Sequence, residues 1–178
     1  MPFKYRIATD EDAPAIETLM SLSMAKLLKD VLTPAQVSKS HASMGLDTQL
    51  IDDGTYFLVF DETDILVGCG GWSRRRTLYG GNHSAGRDNA LADPQTEPAK
   101  IRAMYTHPDY VRRGIGRLLL DLSETAAKAE GFKSVELGAT ASGILLYEKS
   151  GYDVIKDLSE ADEDGVSVPI ILMRKALK

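Results

Sequence analysis

The segment from Lys100 to Gly131 places the strongest constraint on how this chain folds. Residues 100–106 (KIRAMYT) favour a strand, and Pro108 closes it with a turn. A loop with two glycines follows at 111–116, and apolar residues then recur at helical spacing on one face. These residues are Ile115, Leu118, Leu119, Leu122, Ala126 and Ala129. A strand, a glycine loop and a long amphipathic helix ended by Gly131 predict a helix packed on a sheet.

The rest of the chain supplies further strands and helices around this segment. Strands are predicted at residues 3–8, 56–60, 65–72, 134–137, 152–158 and 166–173. Other helices are predicted from a cap at Thr9–Asp12, from Thr33 to about Met44, and over residues 141–150. Residues 80–98 have no periodicity and predict a long loop. We therefore expect one mixed α/β domain over residues 1–178.

Composition excludes several classes of function. Lys and Arg number 21 against 26 Asp and Glu, so the net charge of -5 gives no general basic surface for nucleic acid. No apolar run approaches the length that spans a membrane, and the N-terminus lacks a secretory signal, so we expect a cytoplasmic protein that does not bind membranes. The lone Cys69 predicts an inert core thiol. Three scattered histidines and one cysteine show no ligand spacing, so no metal is predicted.

The glycine loop fits a phosphate site of a restricted kind. A strand that runs through glycines into a helix presents free backbone N–H groups and the positive end of the helix dipole. Gly116 is followed by Arg117 and not by the Lys-Ser/Thr of a nucleotide triphosphatase loop. Leu119 stands where the dinucleotide fingerprint needs a third small residue. A pyrophosphate cradle flanked by Arg112, Arg113 and Arg117 remains, and its alternative is a tight turn with solvated arginines.

Three spaced motifs resemble one family, the GNAT superfamily of N-acetyltransferases. Val111–Gly116 is similar to its acetyl-CoA loop, Gln/Arg-x-x-Gly-x-Gly/Ala, with valine at the first position. Met104–Tyr110 looks like the family's fourth strand and its turn, and Tyr147–Tyr152 resembles its Tyr-Glu-x-x-Gly-Phe segment. The order of elements fits from residue 3 to about 174. The resemblance implies a largely antiparallel sheet, splayed between strands 4 and 5 and flanked by helices.

The resemblance also implies an activity and a donor. It implies transfer of an acetyl group from acetyl-CoA, as co-substrate, to a primary amine by direct transfer in a ternary complex. The acceptor is a small-molecule or peptide amine, and because members of the family often dimerise, a homodimer is compatible with it. Ser142 stands where many members carry a cofactor-contacting Asn. The implied cofactor-binding residues are Met104, Tyr105, Thr106, Arg112, Arg113, Gly114, Ile115, Gly116, Arg117 and Ser142.

Two residues are candidates for catalysis. Tyr147 matches the family tyrosine that protonates the coenzyme A thiolate, and its alternative role is packing between helix and sheet. The family's usual strand-4 glutamate position holds Lys100, so Glu97 is the nearest carboxylate that could accept the amine proton. Its alternative is a solvated loop residue. His83 and His107 are other candidate bases, and a structural role is the commoner outcome for His107.

Two charged segments could contact the acceptor, and the fold is also compatible with a second function. Arg74–Arg76 could engage an anionic acceptor, although short charge runs are more often solvated. The acidic loop between the last two strands borders the acceptor site in the family, and we hypothesise that it steers a cationic amine. Its acidic residues are Glu160, Asp162, Glu163 and Asp164. The alternative function is a non-catalytic sensor or interaction module that binds acyl-CoA with the same fold.

Overall fold

The computed structural model describes residues 2–159, 161 and 163–178. Within them, seven strands form one sheet in the order β1-β2-β3-β4-β5-β7-β6. The strands are β1 (Lys4–Ile7), β2 (Tyr56–Phe60), β3 (Leu66–Ser73), β4 (Ala99–Thr106), β5 (Ser134–Thr140), β6 (Asp153–Asp157) and β7 (Ile170–Ala176). Neighbouring strands are antiparallel except β4 and β5, which run parallel. The predicted α/β class with a largely antiparallel mixed sheet is confirmed.

Helices cover both faces of the sheet. They are α1 (Ala13–Leu27), α2 (Pro34–Ser40), α3 (Thr48–Asp52), α4 (Ile115–Ala129) and α5 (Ile144–Lys149), with 3₁₀ turns at Asp10–Asp12 and Pro108–Tyr110. Successive strand residues point to opposite faces, so Leu58 of β2 packs with α1 while Val59 packs with α4. Both side chains are almost fully buried. In the part of the chain that is described, no helix combines the length and apolar character needed to span a membrane.

The region between α1 and β2 differs from the predicted long helix. Thr33 starts α2 as expected, because its hydroxyl accepts the N–H of Gln36 and the Gln36 side chain accepts the N–H of Thr33. The helix ends at Ser40 and not near Met44. The Ser40 hydroxyl donates to the carbonyl of Gln36, and the Ser43 hydroxyl donates to that of Ser40. These hydroxyls occupy carbonyls at the end of α2 that backbone N–H groups would bond if the helix continued. The next helix, α3, was not predicted.

The last strand also begins later than predicted. The apolar run from Val166 suggested a start there, but β7 spans Ile170–Ala176. Pro169 has no N–H to donate to a neighbouring strand, which accounts for a strand that begins directly after it. The neighbouring β5 extends to Thr140, three residues past the predicted end, and pairs with β7 along its whole length. These boundaries matter because β5 and the start of α5 form one side of the site.

Candidate active site

β4 and β5 pair at their beginnings and then separate. Their parallel pairing joins Ala99 to Val135 and Lys100 to Glu136, and these two described strands form no further pair. Lys100 Nζ lies 2.9 Å from Glu136 Oε1, and the Arg174 guanidinium of β7 lies 2.7 Å from Oε2. Burial raises the pKa of Glu136, but the hydrogen bonds from Lys100 and Arg174 outweigh it and leave that pKa lowered. We call the divergence of β4 and β5 beyond this pairing the fork. The ion-paired cluster lies at its narrow end, where the two strands still pair.

A cavity of about 70 Å³ opens where the two strands diverge. Its walls come from the loop before α3, the loop after β3, both strands and α5. The lining residues are Ser43, Met44, Gly45, Leu78, Tyr79, Gly80, Ile101, Arg102, Ala103, Met104, Tyr105, Leu137, Gly138, Thr140 and Tyr147. Met104, Tyr105 and Tyr147, which the sequence marked as site residues, therefore meet in one cavity. Thr106 lies farther along β4, opposite Gly68 of β3.

A bulge distorts β4 at the cavity. Gly71 of β3 pairs with Arg102, and Cys69 pairs with Tyr105, so β4 carries one residue more than β3 between these pairs. Ala103 takes up the irregularity with a φ of 51°. A bulge of this kind redirects backbone groups that would otherwise pair with a neighbouring strand. Ala103 and Met104 both line the cavity at the point where β5 has moved away.

Tyr147 projects from the short helix α5 into the same cavity. A Cβ on Gly143, the residue before the helix, would lie 2.8 Å from the Tyr147 ring, so the glycine makes room for that ring. The ring packs edge-on against Tyr152, with 5.9 Å between centroids. Burial raises the pKa of Tyr147 to about 12. The hydroxyl therefore stays protonated over the whole physiological range.

A buried charged network, which sequence reasoning missed, supports the other wall. Arg102 of β4 lies 2.9 Å from the carboxylate of Asp47, which also accepts two hydrogen bonds from Arg87 at 3.0 Å. Arg102 and Asp47 are each no more than 3% exposed. Burial lowers the pKa of Arg102, although Asp47 acts in the opposite direction. The network ties β4 to the loop before α3 and to the long loop after β3, where Arg102 also donates to the carbonyl of Gly80.

Tyr105 connects the same loop to β4. Its hydroxyl accepts the backbone N–H of Gly45 at 3.1 Å, and its ring is buried. Burial raises the pKa of Tyr105.

Cys69 of β3 packs in the same core cluster as Tyr105. Burial raises the pKa of its thiol to about 12, which keeps it in the unreactive thiol form. The prediction that Cys69 is a buried core thiol agrees with this position.

The glycine loop at 111–116 has an unusual backbone. Arg112 has a φ of 62° and Gly114 a φ of 87°, both in the left-handed region. Glycine adopts this conformation without the strain that a side chain adds, and Gly114 precedes α4 as its N-cap. The first N–H groups of α4 have no carbonyl partner within the helix and carry the positive end of its dipole. The geometry therefore suits an anion at the start of α4.

Neighbouring side chains hold this loop in place. The Tyr110 hydroxyl donates to Asp61 at 2.7 Å, and the Arg113 guanidinium lies 4.7 Å from the centre of the Tyr110 ring. Hydrogen bonds from Tyr110 and from the turn after β2 lower the pKa of Asp61 to about 2. Arg112 and Arg113 are exposed beside the loop. Arg117, in the first turn of α4, pairs with Asp121 at 3.1 Å.

Three other predicted cofactor residues make protein contacts. A Cβ on Gly116 would lie 2.6 Å from the Leu146 side chain, so this glycine also allows α4 and α5 to approach. Ile115 is buried beneath β3. The Ser142 hydroxyl lies 3.4 Å from that of Thr140, in the turn between β5 and α5. Cofactor contact by these residues stays a prediction.

Glu97 lies in an ion pair outside the cavity lining. Arg76 contacts both of its carboxylate oxygens, at 2.7 and 3.1 Å, and the N–H of Asp93 donates to it as well. The hydrogen bonds from Arg76 lower the pKa of Glu97. A carboxylate held in this way is a weaker proton acceptor, so the geometry disfavours the predicted role as base. No local pattern indicated this pair, because its partners lie 21 positions apart in the chain.

The histidines and the arginine run also make structural contacts. His107 Nδ1 accepts the N–H of Asp109 in the turn after β4, and His83 bonds to the carbonyl of His41 at 2.7 Å. In the arginine run, Arg74 pairs with Glu130, Arg75 with Asp53 and Arg76 with Glu97. Among the described residues that line the cavity, none is Asp, Glu or His. Nor do the described residues include a group of three or more His, Cys, Asp or Glu suited to a metal.

A second cavity of about 350 Å³ adjoins the first. Ser43 and Tyr79 line both cavities, so the two are neighbours at these residues. The second cavity is lined by Lys39, Ala42, Ser43, Tyr79, Ser84, Ala85, Leu158, Ala161, Val168 and Ile170. Ala161 belongs to the acidic loop; Glu160 and Asp162 of that loop lie outside the described residues.

Solved structures resemble this fold over their whole length. A GCN5-related N-acetyltransferase from Rhodopseudomonas palustris has 20% identity and a TM-score of 0.70, with 99% of this chain and 97% of that chain covered. The PaiA N-acetyltransferase of Thermoplasma acidophilum, solved in complex with coenzyme A, has 14% identity and a TM-score of 0.65, with 99% of each chain covered. The ribosomal-protein-S18-alanine N-acetyltransferase of Escherichia coli has 15% identity and a TM-score of 0.61, with 99% and 95% covered. At these identities the likeness establishes the fold.

Sequence comparison establishes the family. No curated protein sequence matches the chain significantly. Residues 23–152, however, match the sequence profile described as the Acetyltransferase (GNAT) family. This range includes the forked strands, the glycine loop, α4 and Tyr147. The chain therefore belongs to the GNAT acetyltransferase family, whose members are acyltransferases.

Proposed function

We propose that this protein transfers an acetyl group from acetyl-CoA to a primary amine, by direct transfer in a ternary complex. The observation that carries the proposal is the single cavity at the β4–β5 fork. It brings the Tyr147 hydroxyl and the bulged backbone of Ala103 and Met104 together. An acyl transfer needs a donor for the thioester carbonyl and an acid for the leaving thiolate, and these two features can supply them.

The donor would lie along β4 and the start of α4. The free N–H groups of residues 114–116 suit the pyrophosphate, and the exposed Arg112 and Arg113 add positive charge beside it. Arg117 is held by Asp121, so its contribution would be smaller. From there the pantetheine arm would follow Tyr105 and Thr106 into the fork, with Ser142 at its opposite side.

The chemical step follows from the groups at the fork. The amine nitrogen attacks the thioester carbonyl carbon, whose oxygen would accept the N–H of Met104. The new C–N bond forms as the C–S bond breaks, and the Tyr147 hydroxyl donates its proton to the sulfur. Because no carboxylate or imidazole lies among the described lining residues, the amine would enter neutral or first lose its extra proton to water. The nitrogen becomes positively charged as it attacks, and the proton that it then releases would pass through water to the Tyr147 phenolate. The products are the amide and the coenzyme A thiol, and Tyr147 regains its proton.

The acceptor would occupy the second cavity. Most of its wall is aliphatic or alanine, together with the ring of Tyr79. Two polar wall groups are already engaged: Ser84 donates to the carbonyl of Ala42, and Lys39 donates to that of Val166. A volume of about 350 Å³ suits a small molecule. We therefore favour a small amine with an apolar body over a peptide.

The pH dependence of acetyl transfer tests this mechanism. We expect kcat/KM, measured by thiol release, to rise until the pH reaches the pKa of the acceptor amine and then to level off. No fall is expected near pH 10, where an exposed tyrosine ionises, because Tyr147 loses its proton only near its pKa of about 12. Two amines of different pKa should shift the profile accordingly.

Glu97→Gln is the control for this profile. The variant should keep the wild-type curve, since Glu97 is paired with Arg76 outside the cavity lining. A wild-type rise that levels off between about pH 4 and 7, where carboxylates and histidines titrate, would contradict the mechanism. If Glu97→Gln removed that rise, Glu97 would be the base. Tight acetyl-CoA binding with no turnover of any amine would favour the non-catalytic acyl-CoA-binding module.

A further inference from the structure

A buried side chain of β2 contacts the bulge of β4. The hydroxyl of Tyr56, in β2, donates to the backbone carbonyl of Ala103 at 2.7 Å. Tyr56 is 1% exposed and packs in the core on the α1 face of the sheet. The hydrogen bond therefore crosses from β2 beneath β3 to β4, and its acceptor is the residue at the centre of the bulge.

The backbone at Ala103 needs such support. Its φ of 51° is in the left-handed region, which is unfavourable for a residue with a Cβ. Such conformations persist where the surrounding structure holds them. Tyr56 supplies a fixed, buried donor at this position. Alanine itself disfavours this conformation, so the hydrogen bond from Tyr56 is what stabilises the observed backbone.

The orientation of the next amide follows from peptide geometry. The Ala103–Met104 peptide is trans, so the carbonyl of Ala103 and the N–H of Met104 point in opposite directions. Tyr56 holds the carbonyl toward the α1 face. The N–H of Met104 consequently points away from Tyr56, and Met104 lines the cavity at the fork.

Two glycines of β3 let this arrangement form. A Cβ on Gly71 would lie 2.1 Å from the carbonyl oxygen of Thr55 and 2.9 Å from the Cα of Tyr56. A Cβ on Gly70 would lie 2.4 Å from the Met104 sulfur. The close approach on both sides of β3 fixes the distance between the Tyr56 backbone and the bulge.

We propose that Tyr56 is a positioning residue for acyl transfer, which acts by holding the carbonyl of Ala103 and so aiming the N–H of Met104 at the thioester carbonyl. The proposal rests on the function proposed above. It concerns a residue that does not touch the reacting atoms. Tyr56 differs in this from Tyr147, whose hydroxyl is placed to give up a proton.

Tyr56→Phe tests the proposal, because it deletes only the hydroxyl oxygen and keeps the buried ring. Loss of a backbone donor to a developing oxyanion costs about 10²–10³ in kcat, and a displaced donor keeps part of its effect. We therefore expect kcat to fall by about 10–100-fold, with the KM for acetyl-CoA within about twofold of wild type. Thr55→Val is the matched control: it deletes a neighbouring buried hydroxyl that donates to the carbonyl of Leu50, and its kcat should stay near wild type.

Binding supplies a second readout that needs no acceptor. Acetyl-CoA has a thioester carbonyl and coenzyme A has none, so the wild type should bind acetyl-CoA about 2–10-fold more tightly, the worth of one hydrogen bond. Tyr56→Phe should bring this ratio close to one, and Thr55→Val should preserve it. Calorimetric titration of the three proteins with both ligands measures it.

The outcomes separate the two proposals. If the wild type binds and turns over acetyl-CoA but Tyr56→Phe keeps both its kcat and its binding ratio, the positioning role is overturned and the function stands. If the wild type binds neither acetyl-CoA nor coenzyme A, the function fails and the role of Tyr56 fails with it. If Tyr56→Phe and Thr55→Val lose kcat equally, the loss is a general effect of core destabilisation, which also overturns the role.

Discussion

Replacing Tyr147 with Phe is expected to lower kcat by about 10²–10⁴-fold, the range of a general acid. The ring of Tyr147 keeps its packing in this variant, because Phe fills the same space beside Gly143 and Tyr152. Only the proton donor to the leaving thiolate is lost. The affinity for coenzyme A should change by less than about twofold, since this loss affects the chemical step and not ground-state binding. Steady-state kinetics with thiol release and calorimetry with coenzyme A measure the two quantities.

Tyr152→Phe is the control for this variant. Its ring lies 5.9 Å from that of Tyr147, and its hydroxyl donates to Glu124 at 2.8 Å. The same atom is thus deleted from the neighbouring ring, where a hydrogen bond that supports the fold is lost. We expect a modest loss of stability and a kcat close to wild type. A kcat for Tyr147→Phe within about threefold of wild type would contradict the role of general acid, for which the usual loss is at least about 10²-fold.

Asp47→Asn is expected to lower the free energy of unfolding by about 3–5 kcal/mol, the cost of leaving a buried charge without its partner. Asp47 is the carboxylate shared by Arg102 and Arg87. Without it, the Arg102 guanidinium stays buried beside the cavity with only carbonyl partners, those of Thr77 and Gly80. Typical stabilities are about 5–15 kcal/mol, so the expected loss is a large part of the total. Urea unfolding of wild type and variant measures it.

Asp64→Asn makes the same substitution at the surface. Asp64 pairs with Lys4 at 2.8 Å, with side chains 75% and 59% exposed. Exposed pairs contribute about 0–1 kcal/mol, so the variant should stay within about 1 kcal/mol of wild type. Equal effects of Asp47→Asn and Asp64→Asn would show that the buried network adds nothing to stability.

Local patterns in the sequence predicted much of the fold. The strand, glycine loop and amphipathic helix from residue 100 to 131 correspond to β4, the left-handed loop and α4. Hydrophobic spacing and glycine positions depend on neighbouring residues, so they are readable from the chain itself. The later start of β7 was also within reach, because Pro169 marks it. The end of α2 was not, since it depends on which carbonyls the Ser40 and Ser43 hydroxyls contact.

The charged parts of the site could not be predicted in this way. The network of Arg102 and Asp47 joins residues 55 positions apart, and the Arg76–Glu97 pair depends on how the long loop folds back. The bulge was equally hidden, because alanine at 103 gives no sign of a positive φ. Hydrophobic periodicity predicts which face of a helix or strand is buried. The ion pairs and the bulge depend instead on how helices, strands and loops that are distant in the sequence pack together.

A thermal shift of the wild type with acetyl-CoA, coenzyme A, ATP and NAD in parallel is the decisive test of the acyl-CoA site. A ligand at about 100 times its Kd adds about 2.7 kcal/mol of stability, or about 5–10 °C for a chain of this size. We predict that acetyl-CoA and coenzyme A raise the Tm by this amount and that ATP and NAD leave it unchanged. No shift with either coenzyme A species, or equal shifts with all four ligands, would contradict the claim that the glycine loop and the forked strands form one acyl-CoA site.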